Sequence, residues 1–236
     1  MTTFVMMSSK GGAGKTTISL ILASELANAG QTVTLLDADK NTPFQGWEER
    51  GRKRKCFPDN IRVVGDDNPA TIQATIEAAQ ASSDHVIVDT EGTANRGANI
   101  AAQMADIVLI PTNPSILDIS EARKAVLFIS NLKRDHNTFI PYLIVPNRVT
   151  AVGMSKESIT FLDHIVQRGH PVAKHRVKQL SAYCDMLAYG SSLYTIPKKT
   201  DAVAGARVNA AAFVEGVAES LRDQRLAYAQ QQEEVA

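Results

Sequence analysis

The sequence predicts an α/β fold, a mostly parallel, doubly wound sheet with helices on both faces. Short runs that are apolar at every position, such as 107–110 and 142–145, are typical of strands buried on both sides. Between them lie segments with the apolar spacing of helices, such as the one that places Ile72, Ile76 and Ala79 on one face. Strands that alternate with helices along a chain form parallel sheets, because each crossover helix returns the chain to the same edge.

The remaining elements follow the same alternation and predict one domain over residues 1–229. Strands are expected at 4–7, 32–36, 61–64, 86–88, 107–110 and 142–145. Helices are expected at 18–29, 42–49, 69–81, 98–104, 117–132, 156–167, 179–188 and 201–229, with an extended segment at 171–177. The basic run 50–55 is expected in a surface loop, and residues 230–236 form a polar tail that we expect to fray.

The composition limits the class of protein. The 236 residues carry 25 Lys and Arg against 25 Asp and Glu, so binding to DNA or membrane would need a local basic patch. Cys56 and Cys184 form no C-x-x-C pair, which favours a reducing compartment and argues against an iron–sulfur centre. No apolar run approaches the roughly 20 residues that span a bilayer. We therefore expect a cytoplasmic protein, with Cys184 buried as an apolar residue.

The segment 8–17, S-S-K-G-G-A-G-K-T-T, has the composition of a phosphate-binding loop. It follows an apolar run and precedes a helical segment, which is the strand–loop–helix context of P-loop NTPases. Glycine lets backbone N–H groups approach an anion, and the next helix directs its positive dipole end to that anion. Lys15 would contact the β- and γ-phosphates, and the Thr16 hydroxyl would ligate Mg²⁺. The nucleotide-binding residues in this loop are predicted to be Gly11, Gly12, Ala13, Gly14, Lys15, Thr16 and Thr17.

The loop departs from the pattern G-x-x-x-x-G-K-[ST], because Ser9 stands where the first glycine is expected and Lys10 precedes the glycine pair. With this second lysine, K-G-G-A-G-K-T-T resembles the deviant-Walker ATPases of the ParA/MinD superfamily, and the resemblance extends over most of the chain. It implies ATP as the nucleotide. It also implies a sandwich dimer in which Lys10 reaches the ATP of the second protomer, while Lys15 binds the ATP of its own protomer.

Acidic residues follow two of the predicted strands. Asp89 has the position of a Walker B carboxylate, which binds Mg²⁺ directly or through water. In the resembled family, Asp39 has the position of the carboxylate that orients the attacking water or links it to Mg²⁺. The metal site is therefore predicted at Thr16, Asp39 and Asp89, and the catalytic residues are Lys10, Lys15 and Asp39. Helix capping by Asp37 or Asp39 is the alternative interpretation. The family usually continues with Pro-Gln after this acid, where this chain has Lys-Asn.

Two further strand ends complete the predicted crevice. Asn147 matches the family position that reads the adenine. Thr112 and Pro114 lie where the family has switch II and the dimer face. The chain contains no N-K-x-D motif, so a guanine-specific site lacks support.

The resemblance also implies partners. ParA-like members bind DNA without sequence preference as ATP-bound dimers, and a centromere-binding, ParB-type adaptor stimulates their slow hydrolysis of ATP to ADP and phosphate. Nucleoid association follows from that behaviour. Lys174, Arg176 and Lys178 form the most concentrated basic cluster and are the predicted DNA-binding residues. The run 50–55 is a second basic cluster that the sequence does not rank against the first. Other basic residues of the last third are Arg148, Lys156, Arg168, His175, Lys198, Lys199 and Arg207.

Several other functions are possible on the same fold. The stretch D-A-D-K-N-T-P at 37–43 also resembles the conjugative-transfer accessory ATPase of virulence plasmids, which promotes DNA transfer and plasmid positioning. An ATPase that positions another cargo is a further possibility. A small-molecule ligase or kinase on the same fold is the alternative from another class. The final helix lacks a broad apolar face, so membrane attachment through it is not expected.

Overall fold

The protein folds around one parallel sheet. A computed structural model describes residues 1–91, 95–198 and 200–235. Within these residues the sheet has the strand order β3-β2-β4-β1-β5-β6, and every neighbouring pair is parallel. The strands are β1 Thr2–Met6, β2 Val33–Ala38, β3 Ile61–Gly65, β4 His85–Thr90, β5 Ile107–Thr112 and β6 Tyr142–Pro146. The predicted parallel sheet is confirmed. The loop after β1 begins between the carboxyl ends of the two neighbouring strands, β4 and β5.

Helices cover both faces of the sheet. They are α1 Lys15–Asn28, α2 Pro43–Lys53, α3 Ile72–Ser82, α4 Arg96–Gln103, α5 Ile116–His136, α6 Lys156–Gln167, α7 Ser181–Tyr189 and α8 Asp201–Val235. One hydrophobic core joins the sheet to α1, α2, α7 and α8, and a second core joins it to α3, α4, α5 and α6. This arrangement confirms the doubly wound α/β class.

The central strand β1 shows why the sheet has two cores. Successive side chains of a strand point to opposite faces, so Phe4 and Met6 enter one core while Val5 and Met7 enter the other. All four are buried, and each buried side chain of this size contributes about 1.5–3 kcal/mol. An uninterrupted apolar run is therefore the sequence pattern of a strand with helices on both faces.

The segment after α6 extends the sheet beyond its β6 edge. Val172 forms an isolated parallel bridge with Ile144, and Lys178 forms another with Val149. The Ala173 N–H donates to the Ile144 carbonyl at 2.8 Å. These contacts place the basic residues 174–178 beside the carboxyl end of β6.

Two local expectations were wrong. The basic run 50–55 is not wholly in a loop, because α2 continues to Lys53 and carries three basic residues in its last turn. Cys184 is exposed rather than buried. Helix α8 continues to Val235, and fraying of the polar tail stays a prediction. Among the residues that the structure describes, no helix is long and apolar enough to cross a membrane.

Candidate nucleotide-binding site

The loop between β1 and α1 has the geometry of an anion cradle. Gly12 and Gly14 both adopt left-handed backbone conformations, with φ of 80° and 99°. A side chain at Gly14 would overlap the amide of Asn147, so only glycine fits there. The loop therefore depends on glycine at this position for both its turn and its packing.

The N-terminus of α1 is open to a ligand. Gly14 is the N-cap residue, and among the described residues α1 has no side-chain cap and no acidic group in its first turn. The first N–H groups of a helix lack intrahelical partners and carry the positive end of its dipole. Lys15 is the first helical residue, so its charge adds to the same site. Together these groups form a site that suits phosphate.

The Thr16 hydroxyl and Asp89 meet beside this loop. The hydroxyl donates to Asp89 Oδ2 at 2.8 Å. Asp89 is buried, and its Oδ1 has no hydrogen-bond partner among the described residues. Burial raises the pKa of Asp89 to about 7, while the nearby charge of Lys15 and the hydrogen bond from Thr16 lower it. A buried carboxylate oxygen with no donor fits a cation or its bound water.

Asp37, near the end of β2, and Asp39, just after it, have different environments. Asp37 is buried and accepts hydrogen bonds from the N–H groups of Phe44 and Gln45, at 3.1 and 3.0 Å, so it caps α2. Burial raises the pKa of Asp37 to about 6, and these hydrogen bonds oppose the rise. The capping interpretation is thus confirmed for Asp37. Thr42, at the N-cap position, makes no capping hydrogen bond through its side chain.

Asp39 is the carboxylate left available to the crevice. Its negative charge raises the pKa of both Asp37 and Asp89, which places the three carboxylates near one another. Its Oδ1 accepts from the backbone N–H and the side-chain amide of Asn41, each at 2.9 Å. Asn41, which stands where the family pattern has glutamine, therefore restrains Asp39, the predicted catalytic acid.

These oxygen donors fit Mg²⁺ only together with a nucleotide. The described residues contain no group of three or more His, Cys, Asp or Glu placed to bind a metal by themselves. Magnesium sites of nucleotide enzymes use one or two carboxylates and take further oxygens from phosphates and water. The hydroxyl of Thr16 and the carboxylate of Asp89, with Asp39 nearby, supply that partial set.

Asn147 lies against the loop. Its side-chain amide donates to the Ala13 carbonyl at 3.0 Å, and its backbone N–H donates to the Thr112 carbonyl at 2.8 Å. A cavity of about 280 Å³ opens beside it. This base cavity is lined in part by Thr17, Asn147, Lys178, Leu180 and Cys184. Its volume is close to the lower end of the range for small-molecule sites, and its place next to the loop suits a nucleoside. Adenine recognition by Asn147 stays a prediction.

The side chain of Lys10 contacts α5. Its Nζ is 2.6 Å from Asp118 Oδ1 on α5, and its side chain is 53% exposed. Burial raises the pKa of Asp118, but hydrogen bonds from Lys10 and Ser115 outweigh burial, and the pKa falls below its usual value. The neighbouring Ser9 hydroxyl contacts the Glu121 carboxylate at 3.0 Å. The first half of the loop is thus joined to α5.

A family model and several known proteins match this chain. The model described as VirC1 protein matches residues 1–221. The chain belongs to the VirC1 family. Protein ParA of Rhizobium radiobacter is 30% identical over 94% of this chain and 99% of its own. Protein virC1 of the same organism is 33% identical over 59% of this chain and 61% of its own. The ATP complex of a Cyanothece McdA variant has a similar fold, with a TM-score of 0.70 and 17% identity over 92% of this chain and 96% of that one.

These matches confirm the predicted superfamily. The VirC1-family chain is a member of the ParA/MinD superfamily of ATPases, with the α/β P-loop fold. The superfamily includes proteins that bind nucleotide, as the ATP complex of McdA illustrates. The roles of individual residues in this chain stay predictions.

The predicted DNA-binding residues of this VirC1-family chain line one groove. Lys174, Arg176 and Lys178 border a depression of about 430 Å³ between residues 174–178 and α8. Asn209 on α8 fixes the segment, because its side chain accepts from the Lys178 N–H and donates to the Arg176 carbonyl. Lys174 forms an exposed ion pair with Glu219 at 3.4 Å. We call this depression the basic groove.

The second basic cluster has partners within the protein. Arg52 and Lys53 pair with glutamates one turn earlier on α2, and Arg54 stacks on the Tyr189 ring. Arg50 donates to the Leu187 carbonyl. These cations stabilise α2 and its contact with α7, and DNA binding by either basic cluster stays a prediction. Of the other basic residues, Lys199 lies outside the described residues.

Sequence reasoning missed two acidic residues of the site. Asp118 and Glu121 contact Lys10 and Ser9 across more than 100 residues of sequence. Both lie on the first turns of α5, Asp118 three positions and Glu121 six positions after Ser115, which caps that helix by accepting from the Asp118 N–H. The helix-capping pattern was readable from the sequence, whereas the contact with the loop depends on the fold.

Proposed function

We propose that this chain is a Mg²⁺-dependent ATPase that forms a dimer around two ATP molecules and binds DNA without sequence preference in that state, to segregate a plasmid or chromosome. ATP hydrolysis, stimulated by a ParB-type adaptor protein, releases the DNA. The protein acts in the cytoplasm on the nucleoid. The 30% identity to Protein ParA across nearly the whole of both chains supports this role.

The crevice supports ATP and Mg²⁺ as the ligands. Gly14 and the uncapped start of α1 suit the phosphates, and Lys15 adds a positive charge there. The buried Oδ1 of Asp89, which lacks a donor among the described residues, suits a cation. A bound Mg²⁺ would neutralise charge on the phosphates, and Asp39 would orient the attacking water.

The surface near Lys10 supports a nucleotide-dependent dimer. Ile116 and Leu117 begin α5 beside Asp118, and their side chains are 48% and 77% exposed. Adjacent exposed apolar side chains are typical of protein interfaces. A second protomer that approaches this surface would bury them and receive Lys10 at its own nucleotide.

One observation carries the proposed link between nucleotide and DNA. Lys178 lines both the base cavity and the basic groove. A nucleotide in the base cavity would therefore move the Lys178 ammonium group or screen its charge, and that group also belongs to the basic groove. Dimerisation doubles the number of such cations, and clustered cations bind the phosphate backbone through counterion release.

The test measures DNA binding in three nucleotide states. A mixed-sequence duplex is titrated by fluorescence anisotropy with the wild-type protein and Mg²⁺, in the presence of ATPγS, ADP or no nucleotide. We expect binding with ATPγS to be at least tenfold tighter than in the other two states, and R176E/K178E to lose it. R62E/R134E, a double charge reversal at exposed arginines of β3 and α5, is the charge-matched control and should bind as wild type. DNA binding that is equal in all three states would refute the proposal.

A second candidate is an accessory ATPase of conjugative DNA transfer. The match of the VirC1 model to residues 1–221 favours it, and it uses the same nucleotide chemistry. The two candidates differ in the DNA that they bind. If anisotropy with ATPγS shows at least tenfold preference for a transfer-origin duplex over mixed-sequence DNA, the second candidate replaces the first. Turnover that requires a small co-substrate and is unaffected by DNA would instead favour a ligase or kinase.

A further inference from the structure

A small cavity separates α5 from α6 on the face of the sheet opposite α1 and α8. It has a volume of about 160 Å³. Its walls are apolar and include Val126, Ile144, Phe161 and Ile165. It shares no lining residue with the base cavity or the basic groove. The nucleotide chemistry above therefore leaves this cavity without a role.

The rim of the cavity is basic. Arg123, His164, Arg168 and His170 line it, and none of the described residues that line it is acidic. Neither arginine forms an ion pair with any described residue. Burial lowers the pKa of His170, and the charges of Arg123 and Arg168 lower it further, which places both guanidinium groups close to the imidazole. The His170 Nδ1 lies 2.7 Å from the Tyr142 hydroxyl, so the ring is fixed.

The cavity continues along α6 as a shallow groove. A second depression of about 330 Å³ shares Phe161 and His164 with the cavity and is also lined by Lys156, Glu157 and Thr160. From Lys156 to Arg168 the helix rises about 18 Å at 1.5 Å per residue. An extended peptide of five or six residues, at about 3.3 Å each, has the same length.

The size and charge of this groove decide what it binds. The cavity is smaller than the roughly 300–1,000 Å³ of sites for small molecules, but it has room for one apolar side chain. Leu127, which is 62% exposed at the rim, adds apolar contact area. Arginine is suited to carboxylates, because its planar guanidinium forms two parallel hydrogen bonds with them. An acidic peptide with one apolar side chain matches both features.

We propose that the α5–α6 groove binds an extended acidic segment of a partner protein. One apolar side chain of the segment occupies the cavity, and carboxylates on either side contact Arg123 and Arg168. The two unpaired guanidinium groups select the acidic charge, and the apolar walls select the inserted side chain. This interaction requires neither nucleotide nor DNA.

The experiment selects peptides without assuming a partner. A random dodecapeptide phage library is selected on the full-length wild-type protein, and the enriched peptides are synthesised with fluorescein and titrated by anisotropy. We expect them to combine at least two Asp or Glu with a Leu, Ile or Phe. R123E/R168E should weaken binding at least tenfold, and L127A about threefold. Arg134→Glu, an exposed charge reversal on α5 outside the groove, should bind as wild type.

Several results would overturn the proposal. They are enrichment of peptides without acidic residues, failure to enrich any peptide, and binding that R123E/R168E does not change. If millimolar inorganic phosphate displaces the peptide completely, the groove is a site for a free anion. Self-association of the wild-type protein that R123E/R168E abolishes would identify a second copy of this chain as the occupant. R123Q/R168Q removes the charges without reversing them and, with far-ultraviolet circular dichroism, separates loss of binding from loss of folding.

Discussion

Lys10 Nζ lies 2.6 Å from Asp118 Oδ1, so the lysine that is expected to reach a second protomer is paired within its own chain. Ser9 makes a parallel contact with Glu121. The first half of the phosphate loop is therefore joined to the start of α5, where the exposed Ile116 and Leu117 also lie. Dimerisation through Lys10 would first have to break this intramolecular pair.

Asp118→Asn should make ATP-dependent dimerisation easier. The substitution removes the ion pair that competes with the second protomer for Lys10. Exposed or half-exposed ion pairs are worth about 0.2–1 kcal/mol, and two of them break in each dimer, so the dimerisation constant should rise roughly 2- to 30-fold. Sedimentation velocity with ATPγS and Mg²⁺ measures the change. Glu121→Gln, which leaves Lys10 and Asp118 paired, is the control. A variant that dimerises less well than wild type would mean that Asp118 acts in the dimer itself.

Lys15→Ala and Lys10→Ala should fail at different steps. Lys15 begins α1 at the phosphate site, and a charged hydrogen bond is worth about 1.5–3 kcal/mol, so K15A should weaken ATP binding roughly 10- to 150-fold. K10A should bind ATP as wild type but remain monomeric, because Lys10 is paired with Asp118 in its own chain and is expected to contact the ATP of the second protomer. Fluorescence of a methylanthraniloyl-ATP titration reports binding, and light scattering reports mass. Normal ATP binding by K15A would show that Lys15 does not bind the phosphates, and the nucleotide site would be wrongly assigned.

Gly14→Ala should destabilise the protein, whereas Gly11→Ala should not. Gly14 has φ of 99°, and a side chain there would overlap the Asn147 amide. Strain of this kind costs on the order of 1–3 kcal/mol. Gly11 has no atom within 4 Å of the added Cβ and no positive φ, so it provides a matched control in the same loop. Urea unfolding measures both variants. Equal stability of the two would show that the loop relaxes around Gly14.

The sequence predicts the sheet well because each strand carries a complete local signal. An uninterrupted apolar run such as β5 can be buried on both faces without reference to any other part of the chain. The loop is predictable for the same reason, since its glycines, Lys15 and Thr16 are contiguous. The order of the strands brings Thr16 and Asp89 together, and the general rule that ligands bind at the carboxyl ends of parallel strands anticipates their meeting.

What the sequence misses depends on contacts between distant segments. Asp37 and Asp39 look equivalent in D-A-D, but only Asp37 is buried and caps α2. Cys184 looks apolar, but it lies on the side of α7 that faces the base cavity rather than the core. The pairing of Lys10 with Asp118 requires the loop and α5 to meet, which no local pattern encodes.

Glu25→Gln should stabilise the protein at neutral pH and have less effect in acid. Burial raises the pKa of Glu25 above its usual value of 4.5, although the Tyr194 hydroxyl and the charge of Arg207 lower it. The folded state therefore binds a proton at Glu25 more tightly than the unfolded state does. Stability is consequently lost as the pH rises from 4.5 through the folded pKa. Glutamine removes this loss, and its carbonyl oxygen can still accept from Tyr194.

Urea unfolding at pH 4 and pH 7.5, followed by the fluorescence of the buried Trp47, tests this prediction. The gain in unfolding free energy of E25Q over wild type should be larger at pH 7.5. Glu49→Gln is a control of opposite sign, because the hydrogen bond from Lys53 and its charge lower the pKa of the exposed Glu49. Its ionised form therefore adds stability that is fully present above the usual pKa and is lost as the pH falls through the folded pKa, so E49Q should lose more stability at pH 7.5 than at pH 4. If both variants shift in the same direction with pH, the effect belongs to net charge rather than to the burial of Glu25.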